Sequence, residues 1–97
     1  MPIPQRQYRE LYALIAAAKN KREVESLLND LLTPQELASL AQRWQEIQLL
    51  ARGIPQREIA AKIGVSISKI TRGSHALQYG TGAFKTMLKR MGKRSEK

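Results

Sequence analysis

Residues 56–78, QREIAAKIGVSISKITRGSHALQ, decide the fold of this 97-residue chain. Gln56 to about Ile63 reads as a short helix, with Ile59, Ala60 and Ile63 at the i, i+3/i+4 spacing of a buried face. Gly64 stands where a helix end favours a left-handed residue, since glycine has no Cβ to clash there. Ser66 comes next as a candidate N-cap. The spacing of the second helix carries Ile67 and Ile70 inward and turns Ser68, Lys69, Thr71 and Arg72 to other faces. Ala60 and Ala61 allow the two helices to approach, and Val65 can plug the corner. Two short helices, a glycine turn and a polar, basic second helix describe a helix-turn-helix DNA reader. The outer face of such a helix needs short hydroxyls near base edges and cations near phosphates. The plainer alternative is a helical hairpin inside a bundle.

The charge distribution points the same way. The chain carries 17 Lys/Arg against 8 Asp/Glu, a net charge of +9. Residues 1–52 are nearly balanced, seven Lys/Arg against six Asp/Glu, while residues 53–97 hold ten against two. A one-sided field on the helix pair and the C-terminal segment beyond it suits a polyanion: DNA first, RNA second, an anionic membrane third.

At 97 residues the chain is expected to form one all-α DNA-binding domain spanning residues 1–97. Hydrophobic residues make up 42%, enough for a core. No run of 18 apolar residues offers a membrane span. The opening MPIPQRQYRE has no apolar signal core, so a cytoplasmic protein is expected. Cysteine is absent, which excludes disulfides and thiolate metal sites.

The rest of the chain supplies four more helices around this pair. Residues 1–4 are expected to fray. From Gln5 to Lys19, Tyr8, Leu11, Tyr12 and Ile15 form an amphipathic stripe. Asn20 with Glu23 can cap a second helix bearing Val24, Leu27, Leu28 and Leu31. Thr33-Pro34-Gln35-Glu36 is the clearest helix start, with Thr33 as N-cap, Pro34 at the first helical position and Glu36 closing a capping box. That helix is expected to reach about Arg52, burying Leu37, Leu40, Ala41, Trp44, Ile47 and Ala51. After the break at Tyr79-Gly80-Thr81-Gly82, Phe84, Met87, Leu88 and Met91 mark a last short helix, with Lys85, Lys89 and Arg90 on its other face. Residues 92–97 are expected to be a basic, disordered tail. Six helices result, and the stripes at both ends are wider than a small monomer covers. A two-fold homodimer is the simplest cover, and it would present two reading helices to a pseudo-palindromic site.

From Leu32-Thr33-Pro34 through Arg43 to Gly53, and from Gln56-Arg57-Glu58 to Ile70-Thr71-Arg72-Gly73-Ser74, the chain resembles the tryptophan operon repressor family. The ITRGS run, residues 70–74, is the most specific piece. The resemblance implies an interlocked all-helical homodimer that binds double-stranded operator DNA of tryptophan biosynthesis or transport genes when L-tryptophan is bound as corepressor. It implies that Arg43 and Arg72 flank the indole, that Thr33 makes a polar contact there, and that Gly73 leaves room for the ring. Guanidinium planes suit that role, since they stack on aromatic faces and pair with carboxylates. On the DNA side it implies that Arg57 meets a guanine edge, that Gln56 lies near the backbone, and that Ile67, Ser68, Lys69, Thr71 and Arg72 belong to the reading surface. Ala76 stands where the family has a serine, Ala60 where it has a lysine, and Lys69 where it has a threonine.

Two other readings stay open. The ending ALQYGTGAF, residues 76–84, is closer to a sister branch, and there the protein would be a ligand-independent DNA-binding regulator, with Arg43 and Arg72 serving phosphates or packing. A protein- or RNA-docking module is the third reading. An enzyme is not expected: there is one histidine, His75, and no clustered carboxylates or phosphate loop. No metal or cofactor beyond L-tryptophan is implied.

Overall fold

A computed structural model describes residues 2–92. Among the described residues there are six helices and no strand: α1 (Gln5–Ala16), α2 (Lys21–Leu31), α3 (Pro34–Ala51), α4 (Gln56–Ile63), α5 (Ile67–Tyr79) and α6 (Ala83–Arg90). The all-α class and the helix order agree with the sequence. Contacts divide the chain into two compact units, whose boundary falls between Ala38 and Ser39, within α3. The expected tail lies outside the described residues apart from Gly92.

In the N-terminal unit, local side-chain chemistry sets the helix ends. α1 stops at Ala16, short of the expected Lys19. Its last turn tightens, with the Ala18 N–H donating to the Ile15 carbonyl at 3.2 Å. The cause lies in the next helix. Asn20 is extended and its Oδ1 accepts from the Glu23 N–H at 2.9 Å, while Glu23 Oε1 accepts from the Lys19 N–H at 2.8 Å. Lys19 thereby serves the start of α2 and is lost to α1. At α3 the capping box closes in both directions: Thr33 Oγ1 accepts from the Glu36 N–H at 3.1 Å, and Glu36 Oε1 accepts from the Thr33 N–H at 2.9 Å. No residue of α1 or α2 is buried, and Tyr8, Leu11, Tyr12, Leu14 and Ile15 are all exposed. The amphipathic stripes exist, but most of their residues stay exposed, with Leu27 and Leu28 half-buried.

The C-terminal unit holds the core. Leu49 of α3, Ile59 of α4 and Ile70 of α5 are buried together, with Leu50, Ile54, Ala60, Ile63 and Val65 packed around them. Full burial of Ile59 and Ile70 contributes about 1.5–3 kcal/mol each. α4 ends as its sequence requires. Gly64 is left-handed (φ 81°, ψ 33°), and the Gly64 and Val65 N–H groups both donate to the Ala60 carbonyl. Ser66 then caps α5, its Oγ accepting from the Lys69 N–H at 3.3 Å.

Four expectations about packing change. Ile67 is not inward but 47% exposed, because a side chain in the first turn leans toward the helix N-terminus. Val65 packs against the core at the corner, as expected. Ala61 is exposed, and Ala60 alone of the pair meets the core. On α3, Leu40 and Ala41 are exposed, while Glu46, Ile47 and Leu49 form the buried stretch. Trp44 is a half-buried partner of Phe84, with ring centroids 6.2 Å apart, and so ties α3 to α6 at the margin of the core.

Candidate nucleic-acid interface

The α4–α5 pair is held by its apolar side, and this leaves its polar side outward. Ile59 and Ile70 are each fully buried between the helices. With 3.6 residues per turn, Ser68, Thr71, Arg72 and His75 lie opposite Ile70, Gly73 and Leu77 on α5. Arg57, Ile67, Ser68, Lys69, Thr71 and Arg72 are all exposed, and Gln56 is half-buried. The structure therefore brings the residues expected to face DNA onto the accessible surface of one helix pair. Two of them touch: the Thr71 hydroxyl donates to Gln56 Oε1 at 3.0 Å. Ser66 and Ser68 share a hydrogen bond of 3.3 Å at the start of α5.

Charge completes the surface. From residue 53 to 92 the chain carries Arg57, Lys62, Lys69, Arg72, Lys85, Lys89 and Arg90 against Glu58 alone, and all seven cations are exposed. None of them makes an ion pair among the described residues; the pairs present are Arg6–Glu10 and Arg43–Glu46. Unpaired surface cations on one unit attract a polyanion and release its counterions on binding. His75 is exposed and packs against Tyr79 in a tilted arrangement, centroids 5.0 Å apart and ring planes at 50°. Tyr79 belongs to the last turn of α5 rather than to the expected chain break, and at 72% exposure it is an accessible aromatic.

The residues expected to hold a ligand fall in two places. Thr33 belongs to the N-terminal unit, where its hydroxyl caps α3. In the C-terminal unit, Arg43 of α3 and Gly73 of α5 converge on a residue that sequence reasoning misses, Glu46. Glu46 is 1% exposed. Its Oε1 lies 3.8 Å from Arg43 Nε, and a Cβ placed on Gly73 would meet it at 3.5 Å. That Cβ would also meet Ile47 and Leu50 at 3.5 and 3.6 Å, ordinary contact distances, so the buried Gly73 faces this part of α3. Arg72, the neighbour of Gly73, is exposed on the outer surface. A signal for Glu46 exists in the sequence: it precedes Ile47 in the buried stripe and stands three residues after Arg43, one helical turn on. No helix among the described residues is long and apolar enough to cross a membrane.

The fold and the exposed basic helix pair can be set beside known proteins. The family described as Trp repressor protein matches residues 6–92. The chain is 36% identical over 85 residues to a Trp operon repressor homolog of Vibrio parahaemolyticus, covering 87% of this chain and 82% of that one. It is 42% identical over 76 residues to a Trp operon repressor homolog of Chlamydia trachomatis, covering 73% and 81%. A crystal structure of a TrpR-like protein from Eubacterium eligens superposes with a TM-score of 0.85 at 27% identity, over 93% of both chains. These likenesses define a non-enzymatic, DNA-binding transcription regulator. The chain belongs to the Trp repressor family.

Proposed function

We propose that this protein is a cytoplasmic, homodimeric helix-turn-helix repressor that binds operator DNA of tryptophan biosynthesis or transport genes with L-tryptophan as corepressor. The observation that carries the reading is the α4–α5 pair, with Ile59 and Ile70 buried inside and Arg57, Ser68, Lys69, Thr71 and Arg72 exposed outside. In this reading α5 lies in the major groove. Arg57 takes a guanine edge, Ser68, Thr71 and the apolar Ile67 face bases, and Gln56, Lys69 and Arg72 serve phosphates. The exposed stripes of α1 and α2 support a second copy of the chain as their cover. Two reading heads would then enter successive grooves ~34–36 Å apart, a rule of helix-turn-helix dimers drawn in part from this same family.

L-tryptophan would stack against Arg43 and Arg72 beside Gly73. Calorimetry with L-tryptophan in the presence and absence of operator DNA tests this. A corepressor and DNA must raise each other's affinity by the same factor. Equal tryptophan affinity with and without DNA would end the corepressor reading.

One observation favours a second reading. Arg43 already pairs with the buried Glu46, which gives it a structural role without any ligand. A ligand-independent regulator of the sister branch would then bind DNA with unchanged affinity when L-tryptophan is added.

A further inference from the structure

Glu46 is costly where it stands. A buried carboxylate is tolerated when it is paired and hydrogen-bonded, and a side chain of similar volume without charge usually serves stability as well or better. Glu46 is 1% exposed and sits among Ile47, Leu50 and Gly73, surroundings that suit a leucine. Its Oε1 is fully buried and has no hydrogen-bond partner among the described residues. Arg43 Nε, at 3.8 Å, supplies attraction but lies beyond hydrogen-bond range. The carboxylate is therefore half-compensated, and its free acceptor lies where Arg43 and Gly73 meet.

We propose that Glu46 selects the ligand: its carboxylate takes the ammonium group of an α-amino acid, while the Arg43 guanidinium takes that ligand's carboxylate. This rests on the corepressor reading and adds to it a residue and a chemical requirement. The two side chains offer one negative and one positive partner within a few ångströms, and an α-amino acid carries the matching charges on a single carbon. Beside Oε1, the Arg43 side chain is 40% exposed on a flexible stem, so its guanidinium is accessible to a ligand. A ligand with the carboxylate but no ammonium would leave Oε1 unsatisfied and set two negative groups side by side. Such a ligand is rejected by repulsion as well as by a missing bond.

The experiment is calorimetry on the full chain with L-tryptophan and with 3-indolepropionate, which differs only in lacking the ammonium. The wild-type protein is expected to prefer L-tryptophan about tenfold or more, the scale of a hydrogen bond to a charged group. Glu46→Gln keeps the shape, removes the charge, and is expected to bring the ratio of the two affinities close to one. A merely structural role would weaken both ligands alike and leave the ratio unmoved. Wild-type affinities that are equal, or a ratio that survives Glu46→Gln, overturn the assignment while the corepressor reading stands. If neither ligand binds the wild type at millimolar concentration, both fall. If Glu46→Gln does not fold, the wild-type ratio decides.

Discussion

Thr71 in the middle of α5 donates its hydroxyl to the side-chain carbonyl of Gln56, the first residue of α4, across 3.0 Å. The bond spans fifteen residues of sequence and ties the two outward faces together. It also orients the Gln56 amide, because an Oε1 engaged by Thr71 leaves both Nε2 hydrogens to be donated outward. On the proposed reading, Thr71 positions Gln56 to donate to a phosphate and is itself a candidate base contact. Thr71→Val keeps the shape and removes the donor. It is expected to weaken DNA binding by about threefold to tenfold, the worth of one ordinary hydrogen bond. Competition binding with single-base-pair variants of an operator checks this. A loss confined to one base pair would show that Thr71 reads a base directly.

The two arginines of the α4–α5 pair should separate. Arg57→Ala is expected to leave tryptophan affinity unchanged and to lower discrimination at one guanine by about 1–3 kcal/mol. Arg72→Ala is expected to weaken tryptophan and DNA binding together. Calorimetry for the ligand and fluorescence anisotropy for DNA distinguish the pair. Equal loss of ligand binding in both variants would refute two distinct sites.

Affinity for duplex DNA should fall steeply with salt. On the proposed reading several exposed cations meet phosphates at once, and each phosphate neutralised adds about −0.9 to the slope of log K against log salt. Lys69→Gln should make that slope shallower by about one unit if Lys69 is among them. A slope near zero for the wild type would exclude phosphate binding by this surface.

The α4–α5 pair depends on its two buried isoleucines. Ile59→Ala or Ile70→Ala removes a fully buried side chain and is expected to destabilise the C-terminal unit by about 2–5 kcal/mol. Denaturant unfolding followed by Trp44 fluorescence, in the same unit, measures it. A loss below about 1 kcal/mol would mean that this core does not hold α4 to α5.

Gly64 offers a backbone counterpart. Its φ is 81° and a Cβ there would meet nothing within 4 Å, so Gly64→Ala tests conformation without packing. The expected loss is about 1–2 kcal/mol by thermal or denaturant unfolding. No loss would show that the turn between α4 and α5 relaxes out of the left-handed region.

What residues 1–97 determined by themselves was the position of the helices and the side on which the charge collects. Asn20, Thr33, Ser66 and Gly64 act on backbone groups within five residues, so their effect is written in the local sequence. The basic excess after residue 53 is likewise additive and needs no fold to be counted. What only the tertiary structure decided was which part of each helix is covered. The 3.6-residue period names a face, but not how far along that face a neighbour reaches. Hence Leu40 and Ala41 are exposed while Glu46 and Leu49 are buried, and Ile67 is open while Ile70, one turn on, is sealed. The meeting of Arg43, Glu46 and Gly73, like the bond from Thr71 to Gln56, needs two helices packed at one distance, and no spacing along a single helix fixes that distance.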